Sequence, residues 1–406
     1  LNAVTFSRAL TARLASRVNA GNFNTQAIFR YTLSQSSGLE NVTDFTSQFP
    51  PTVNAMSSPA PAATTAQQSK PKVDDADLQA VENLKRAHAK IKSELAKVII
   101  GQEQVIDEIL ISIFTRSHAL LVGVPGLAKT LMISTLAQAL HLTFKRIQFT
   151  PDLMPSDITG TEVIYQDQQT GERQFKFLKG PIFANIILAD EINRTPPKTQ
   201  AAMLEAMQER RVTVGGQDHK LPDPFFVLAT QNPVEQEGTY PLPEAQLDRF
   251  MFMIHVDYPS TLEERQIMRM ASGTTTGKPE PVLTGEDILN LQNTVRRMPV
   301  SDHVLAYAQR LVAVTRPKTP ECLDFCKKWL TWGAGPRASL NLILAGKAHA
   351  ILRGQFHVGV DDIAAVALPI FRHRIIPNFA AQSEGVMADD ITRKILETIP
   401  KNAKID

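Results

Sequence analysis

The stretch Gly123-Val-Pro-Gly-Leu-Ala-Lys-Thr130 constrains this chain more than any other. The apolar run Ala119–Val122 before it reads as a short buried strand. Leu131–Leu140 after it reads as a helix, from its 3.6-residue period and its helix formers. Strand, glycine-containing loop, Lys-Thr and helix, in that order, make a phosphate-binding loop. Gly123, Val124, Pro125, Gly126, Leu127 and Ala128 would wrap the phosphates, with backbone N–H groups and the helix N-terminus pointing at them. Lys129 would reach the β and γ phosphates, and Thr130 would hold Mg²⁺. One departure stands out: Ala128 occupies the place just before the lysine where such loops usually carry Gly. A Cβ is tolerable there if Ala128 lies in the first helical turn, and not if the position demands positive φ.

A second motif follows about 60 residues later. Ile186–Ala189 is a buried strand that ends in Asp190-Glu191. That is the expected partner of a phosphate loop: Asp190 for Mg²⁺, directly or through water, and Glu191 to polarise the attacking water. Another buried strand, Pro224–Ala229, runs into Thr230-Gln-Asn232-Pro. Asn232, at a strand's C-terminal edge, is placed to hydrogen-bond the attacking water or the γ-phosphate. Glu244–Phe250 is a helix ending at Arg249, a charge that either complements the helix C-terminus or is presented to a neighbour's nucleotide. Upstream, Gly101-Gln102 breaks two amphipathic helices, one from Asp75 and one over Glu103–Phe114, and is well placed to face an adenine base.

The remaining pattern is α/β up to about residue 257. Phe144–Phe149 alternates as a strand, and the two prolines of Thr150–Thr159 forbid a continuous helix. Thr161–Tyr165 with Arg173–Phe177, and Arg211–Gly216 with Gln217–Leu221, read as two inserted β-hairpins, the second with a Gly-Gly tip. Phe252–Val256 reads as the last strand. Beyond Tyr258 the pattern is helical, over roughly 260–271, 285–296, 302–315, 321–332, 336–353, 360–372 and 388–398. Arg337 falls beside the N-terminus of the fifth of these helices, where the macrodipole opposes a cation unless an anion binds there.

Composition excludes several classes. Net charge is +2, from 43 basic and 41 acidic residues, so no global field favours nucleic acid or a membrane surface. No uninterrupted apolar run reaches the length of a spanning helix. Cys322 and Cys326, one helical turn apart, read as core thiols and fit a reducing cytosol. Residues 1–74 differ from the rest. Leu1–Leu39 has four arginines and no acidic residue, and Phe49–Pro71 is rich in Pro, Ala, Ser, Thr and Gln, the composition of a disordered segment. The start has the make-up of an organelle transit peptide. However, the chain begins with Leu and its first methionine is Met56, so the favoured expectation is translation from Met56, with residues 1–55 an artefact.

Taken together, these blocks resemble the MoxR family of AAA+ ATPases from about Asp75 to the C-terminus. The resemblance rests on the phosphate loop, Gln148–Gly160, Leu188–Gln200, Leu204–Arg210 and Ala229–Phe250. Ala before the lysine is typical of that family. The resemblance implies an AAA+ core over 75–257, a parallel sheet flanked by helices with two inserted hairpins, and an all-α lid domain over 258–406. It implies that Asn232 is sensor 1, that Arg337 is sensor 2 acting on its own chain's nucleotide, and that Arg249 is an arginine finger supplied in trans. It further implies ATP and Mg²⁺, a homo-oligomeric and usually hexameric ring, and a cytoplasmic chaperone. Such a chaperone would aid metal or cofactor insertion or complex maturation, with a client protein and a von Willebrand factor A-domain partner. The rival readings are a nucleic-acid-remodelling ATPase, a magnesium-chelatase-like motor and a scaffold that binds ATP without hydrolysing it. The mixed charges of the first hairpin (Glu162, Asp167, Glu172, Arg173, Lys176, Lys179) and the lack of an appended DNA-binding motif argue against nucleic acid.

Overall fold

The computed structural model describes residues 75–166, 173–234, 237–273 and 277–401. The expectations for residues 1–74, and for the turn of the first hairpin, lie outside the described residues. Lys70–Asp406 forms one compact unit. Its strands are β1 (Ala119–Val122), β2 (Phe144–Gln148), β3 (Gly160–Gln166), β4 (Arg173–Lys179), β5 (Ile186–Asp190), β6 (Arg211–Val214), β7 (Gln217–Lys220), β8 (Phe226–Gln231), β9 (Phe252–His255), β10 (Leu330–Trp332) and β11 (Ile376–Pro377). Around the sheet lie α1 (Asp75–Leu95), α2 (Glu103–Phe114), α3 (Lys129–Ala139), α4 (Pro155–Thr159), α5 (Pro197–Glu209) and α6 (Glu244–Leu247). After it come α7 (Thr261–Ala271), α8 (Gly285–Arg297), α9 (Asp302–Ala313), α10 (Asp324–Trp329), α11 (Pro336–Leu352), α12 (Val360–Phe371), α13 (Phe379–Ser383) and α14 (Ala388–Thr398).

Five strands form the central sheet in the order β2-β5-β8-β1-β9, every pair parallel. Parallel sheets are covered on both faces, which explains why the central strands read as unbroken apolar runs. The side chains of β1, β5 and β8 alternate between two cores. Leu121, Leu188 and Leu228 enter one, while Leu120, Ala189 and Val227 enter the other. The first core continues without a break through α1, α2 and the C-terminal helices, joining Leu84, Ile109, Ile288, Leu342 and Ile363. The helical region therefore shares a hydrophobic core with one face of the sheet.

Both hairpins are present. At the β6–β7 tip Gly215 and Gly216 have φ of 58° and 78°, the left-handed pair that a tight two-residue turn needs. The two hairpins touch, for the Phe177 ring of β4 stacks on His219 of β7 at 3.9 Å between centroids. Three details differ from the sequence reading. The helix expected over Glu244–Phe250 shrinks to α6, which ends at Leu247 and leaves Arg249 beyond it, whereas 150–159 holds no continuous helix, as expected, but only α4, with Pro155 in its first turn. The helix expected over 321–332 shrinks to α10, since Leu330–Trp332 turns extended and pairs antiparallel with β11. The short α13 was not anticipated. Among the described residues no helix is long and apolar enough to cross a membrane. Cys322 and Cys326 are buried free thiols, and burial pushes Cys326 up to about 12.

Glu108 of α2 is buried, and burial raises its carboxyl to about 7 despite the Gln104 amide that donates to it at 3.0 Å. A raised carboxyl holds its proton longer in the folded state. Its favourable contribution is complete below about pH 4.5 and is lost as pH rises through about 7. Glu108→Gln should therefore raise the unfolding free energy at pH 8 by about 2–3 kcal/mol at most, with the gain vanishing below pH 4.5. Urea denaturation at the two pH values measures it.

Candidate nucleotide site

The C-terminal edge of the sheet gathers most of the chemistry. Register places Val122 beside Gln231, Ala189 beside Ala229 and Gln148 beside Asp190. The phosphate loop, Asp190-Glu191 and Asn232 thus leave three adjacent strands at the same end, each roughly 4.8 Å from the next. Gly123 is tied to β8 by its N–H on the Gln231 carbonyl, and a Cβ there would lie 2.6 Å from the Val256 carbonyl oxygen. Gly126 has φ of 87°, with nothing within 4 Å of where its Cβ would be, so the inner face of the loop is open.

Ala128 has φ of 53° and caps α3 in the left-handed region. The structure thus answers the question raised by its Cβ: the position does demand positive φ, and alanine adopts it. The steric cost is about 1–2 kcal/mol. Gln102, with φ of 57°, and Glu191, with φ of 56°, are strained in the same way.

The charged groups of this edge are mutually satisfied. Lys129 Nζ donates to the Gly123 and Val124 carbonyls at 2.5 and 3.2 Å. Burial lowers its ammonium pKa, while the carboxylates of Asp190 and Glu191 act the other way. Thr230 accepts the Glu191 N–H at 2.8 Å and donates to Asp190 Oδ1 at 2.6 Å, joining the ends of β5 and β8. Arg146 of β2 donates through Nε and Nη2 to Asp190 Oδ2 at 2.9 and 2.6 Å. Glu191 Oε2 accepts from Gln148 Nε2 at 2.9 Å and from Arg194 Nη1 at 3.2 Å. Asn232, buried, accepts the Val234 N–H at 3.1 Å in an Asx turn, which fixes its side chain. Arg146, Gln148, Arg194 and Thr230 were not singled out as site residues from sequence. A usable signal was present: Arg146 and Gln148 are two residues apart at the end of a strand, so they share a face.

A largely apolar cavity of about 730 Å³ adjoins the loop, lined by Ile99, Ile100, Gln102, Leu127, Leu131 and Ile267 among others. Its size and walls suit a purine base. Gln102 is part of its lining, and the Glu263 carboxylate of α7 fills the space that a Cβ on the preceding Gly101 would need. The donor set also suits Mg²⁺ with a triphosphate, since Thr130 and Asp190 offer hard oxygen ligands. The oxygens of a bound triphosphate would complete its shell.

The two arginines lie elsewhere. Arg249 and Arg337 line one cleft of about 260 Å³ together with Arg116, His118 and Asp248. His118 precedes β1, and the Met251 N–H donates to its carbonyl at 2.8 Å, so this cleft opens at the N-terminal edge of the sheet. It is at least one strand length, roughly 13 Å, from the phosphate loop. Arg337 Nη1 lies 3.5 Å from Asp248 Oδ2. The expectation that Arg337 serves its own chain's nucleotide is therefore corrected. The helical region packs against the α1–α2 side of the shared core, and this carries the start of α11 to the far end of the sheet from the loop.

A P-loop at one end of a parallel sheet, an acidic pair at the same end two strands away and a helical lid define an AAA+ ATPase, and the comparisons with known proteins agree. Residues 118–252 match the model of the ATPase family associated with various cellular activities (AAA), and residues 326–395 match an AAA lid domain. The chain is 43% identical over 307 residues to Chaperone MoxR1 of Mycobacterium tuberculosis, covering 75% of this chain and 80% of that protein. It is 41% identical to the protein YeaC of Bacillus subtilis, over 78% of this chain and 96% of YeaC. A Cytophaga hutchinsonii crystal structure, described as that of a candidate ATPase, superposes with a TM-score of 0.75 at 42% identity, covering 81% of this chain and 98% of the other. The chain belongs to the MoxR family of AAA+ ATPases.

Thr230→Val should leave a buried carboxylate oxygen and the Glu191 N–H unpaired, lowering the unfolding free energy by about 2 kcal/mol. Chemical denaturation against wild type measures this, and an unchanged midpoint would show that Thr230 does not hold the acidic pair.

Proposed function

We propose that this chain hydrolyses ATP in a homo-oligomeric ring, hexameric by family habit, and uses the cycle to remodel a client protein. The observation that carries the reading is the division of charge between the two ends of one sheet. The loop and the acidic pair occupy one end, and a cleft lined by four arginines (Arg116, Arg210, Arg249 and Arg337) and a single acid, Asp248, occupies the other. Arg249 is half-buried there, and among the described residues its guanidinium has no hydrogen bond or ion pair. A cleft with surplus cation at the back of one subunit fits an anion held at the front of the next.

In this reading Lys129 leaves the Gly123 and Val124 carbonyls for the β and γ phosphates. Thr130 and Asp190 would hold Mg²⁺, which when bound offsets charge on the phosphate oxygens. Glu191 orients and deprotonates the attacking water, and Asn232 donates to that water or to the γ-phosphate. Arg249 and Arg337, both from the neighbour, neutralise charge developing on the γ-phosphate. An arginine supplied in trans contributes roughly 10³–10⁵-fold in rate. Gly101-Gln102 and the apolar cavity receive the base.

The client would meet the first hairpin, where Ile164 and Phe175 sit opposite each other and are 64% and 75% exposed. A paired apolar surface of this kind favours a protein client over nucleic acid. The name of the mycobacterial relative supports the chaperone reading. Metal- or cofactor-dependent complexes, with a von Willebrand factor A-domain partner in the cytoplasm, are the clients proposed on family grounds.

Glu191→Gln should bind ATP and lose turnover by at least about 10²-fold. Near-normal hydrolysis by this variant would remove Glu191 from the mechanism. A mixing experiment tests the arginines. Arg249→Ala or Arg337→Ala protomers alone should be inactive. Each should regain activity on mixing with Lys129→Ala protomers, since some interfaces then pair an intact loop with intact arginines. If only the Arg249→Ala mixture recovered, Arg337 would act in cis after all.

A further inference from the structure

Arg146 is a solvent-reachable cation lodged on the carboxylate that the proposed mechanism assigns to Mg²⁺. Its two donors, Nε at 2.9 Å and Nη2 at 2.6 Å, both fall on Asp190 Oδ2, while Thr230 takes Oδ1 at 2.6 Å. A carboxylate offers about four acceptor sites, and three are thereby filled. A guanidinium this close and a divalent cation on the same oxygen would repel each other. Asp190 is 12% exposed at its side chain and held in place by Thr230, so it cannot turn away to serve both. Arg146 can move, since its side chain is 47% exposed and projects from β2, at the edge of the sheet. It is also linked onward: Nη2 donates to Gln148 Oε1, and Gln148 Nε2 donates to Glu191 Oε2 at 2.9 Å.

We propose that Arg146 is a built-in competitor of the metal. It neutralises Asp190, must be displaced before Asp190 can take a divalent cation, and so sets the metal concentration at which the site engages nucleotide. The proposal rests on the ATP and Mg²⁺ reading above. Asp190 exchanges a guanidinium for the metal, and Arg146 swings toward solvent. No covalent step is involved. Because Arg146 also orients Gln148, its departure loosens the grip of Gln148 on Glu191. Metal loading and release of the hydrolytic carboxylate are then coupled through two side chains of β2. Arginine suits this role better than lysine, for its planar fork places two donors on one oxygen.

The test reads binding and not turnover. A fluorescent ATP analogue that resists hydrolysis is bound to the full-length protein while buffered free Mg²⁺ is raised, and the Mg²⁺ midpoint is recorded. Arg146→Met keeps most of the aliphatic stem and removes the charge. It should lower the midpoint roughly fivefold, the equivalent of about 1 kcal/mol, the upper end for a half-exposed pair. Arg146→Lys should lower it less, and Arg146→Met should have no further effect in an Asp190→Asn background. The melting temperature in EDTA should fall in Arg146→Met, while the rise on adding Mg²⁺ and analogue should grow. An unchanged midpoint overturns the proposal. A raised midpoint also overturns it, and would make Arg146 a residue that orients Asp190 for the metal. If the wild-type protein binds the analogue without any Mg²⁺ dependence, this proposal falls and so does the Mg²⁺ reading. Dependence in wild type with no response in the variants sinks the competitor alone.

Discussion

The guanidinium of Arg374 holds the two halves of the molecule in register. Its side chain is 1% exposed, and all three of its nitrogens are engaged. Nε donates to Asp248 Oδ1 at 2.8 Å, Nη1 to the Met251 and Ile370 carbonyls at 3.0 and 2.7 Å, and Nη2 to the Asp248 and Phe250 carbonyls at 3.1 and 2.6 Å. Five donors meet five acceptors, the full capacity of the group. Burial lowers its pKa to about 10, still far above neutrality, and Asp248 opposes the drop. A charge buried this deeply is tolerable only when it is saturated and paired. The neighbouring residues repeat the pattern. Arg372 reaches the Met253 carbonyl and Asp389, and His373 meets the Phe250 carbonyl. Three consecutive side chains past α12 thus fasten the helical region to the segment entering β9. That segment carries Asp248 and Arg249. The position of the arginine cleft is therefore set by the lid and not by the sheet alone.

The opposite edge depends on a different device. Gln102, Ala128 and Glu191 are three of the six non-glycine residues with positive φ among the described residues. Each stands where the chain must turn sharply at the candidate site: the base-facing turn, the entry to α3 and the exit from β5. A left-handed residue between strand and helix lets the backbone double back within one residue, so that successive N–H groups can face one point. The conformation costs free energy locally and is kept because the surrounding packing over-determines it. Glu191 is held by its N–H on Thr230, and Ala128 is fixed between Leu127, buried in the core, and the first turn of α3.

Much of this was legible in the sequence, because the strands are short apolar runs bounded by functional residues. The loop, the acidic pair and Asn232 could be put on one sheet edge from spacing alone, and the hairpins from their alternation and the Gly-Gly tip. What stayed hidden was relational. Periodicity marks Arg337 as lying near a helix start, but it cannot say which end of the sheet that helix start approaches. The run Arg372-His373-Arg374 reads as ordinary basic residues completing a helix C-terminus. Its true role depends on carbonyls about 120 residues away. Arg146 looks like an exposed strand residue until the register brings Asp190 beside Gln148. Ala128 shows the converse limit. Treating positive φ as forbidden to alanine was too strict, since the cost is only about 1–2 kcal/mol.

Asp248 connects these observations. It accepts from Arg374, which is buried and structural, and faces Arg337, whose side chain is 49% exposed at 3.5 Å. One carboxylate cannot neutralise two guanidinium groups, and the adjoining Arg249 and Arg116 deepen the surplus. The saturated contact belongs to Arg374, while that of Arg337 is longer and open to solvent. In such a pair the outer arginine loses little by exchanging its partner for a more highly charged anion. The same logic governs Arg146 at the other end of the sheet, where a half-exposed guanidinium sits on a carboxylate with a competing use. Each edge thus places a mobile arginine on an anchored acid. The anchored acid keeps the geometry, and the arginine is left able to move to another partner.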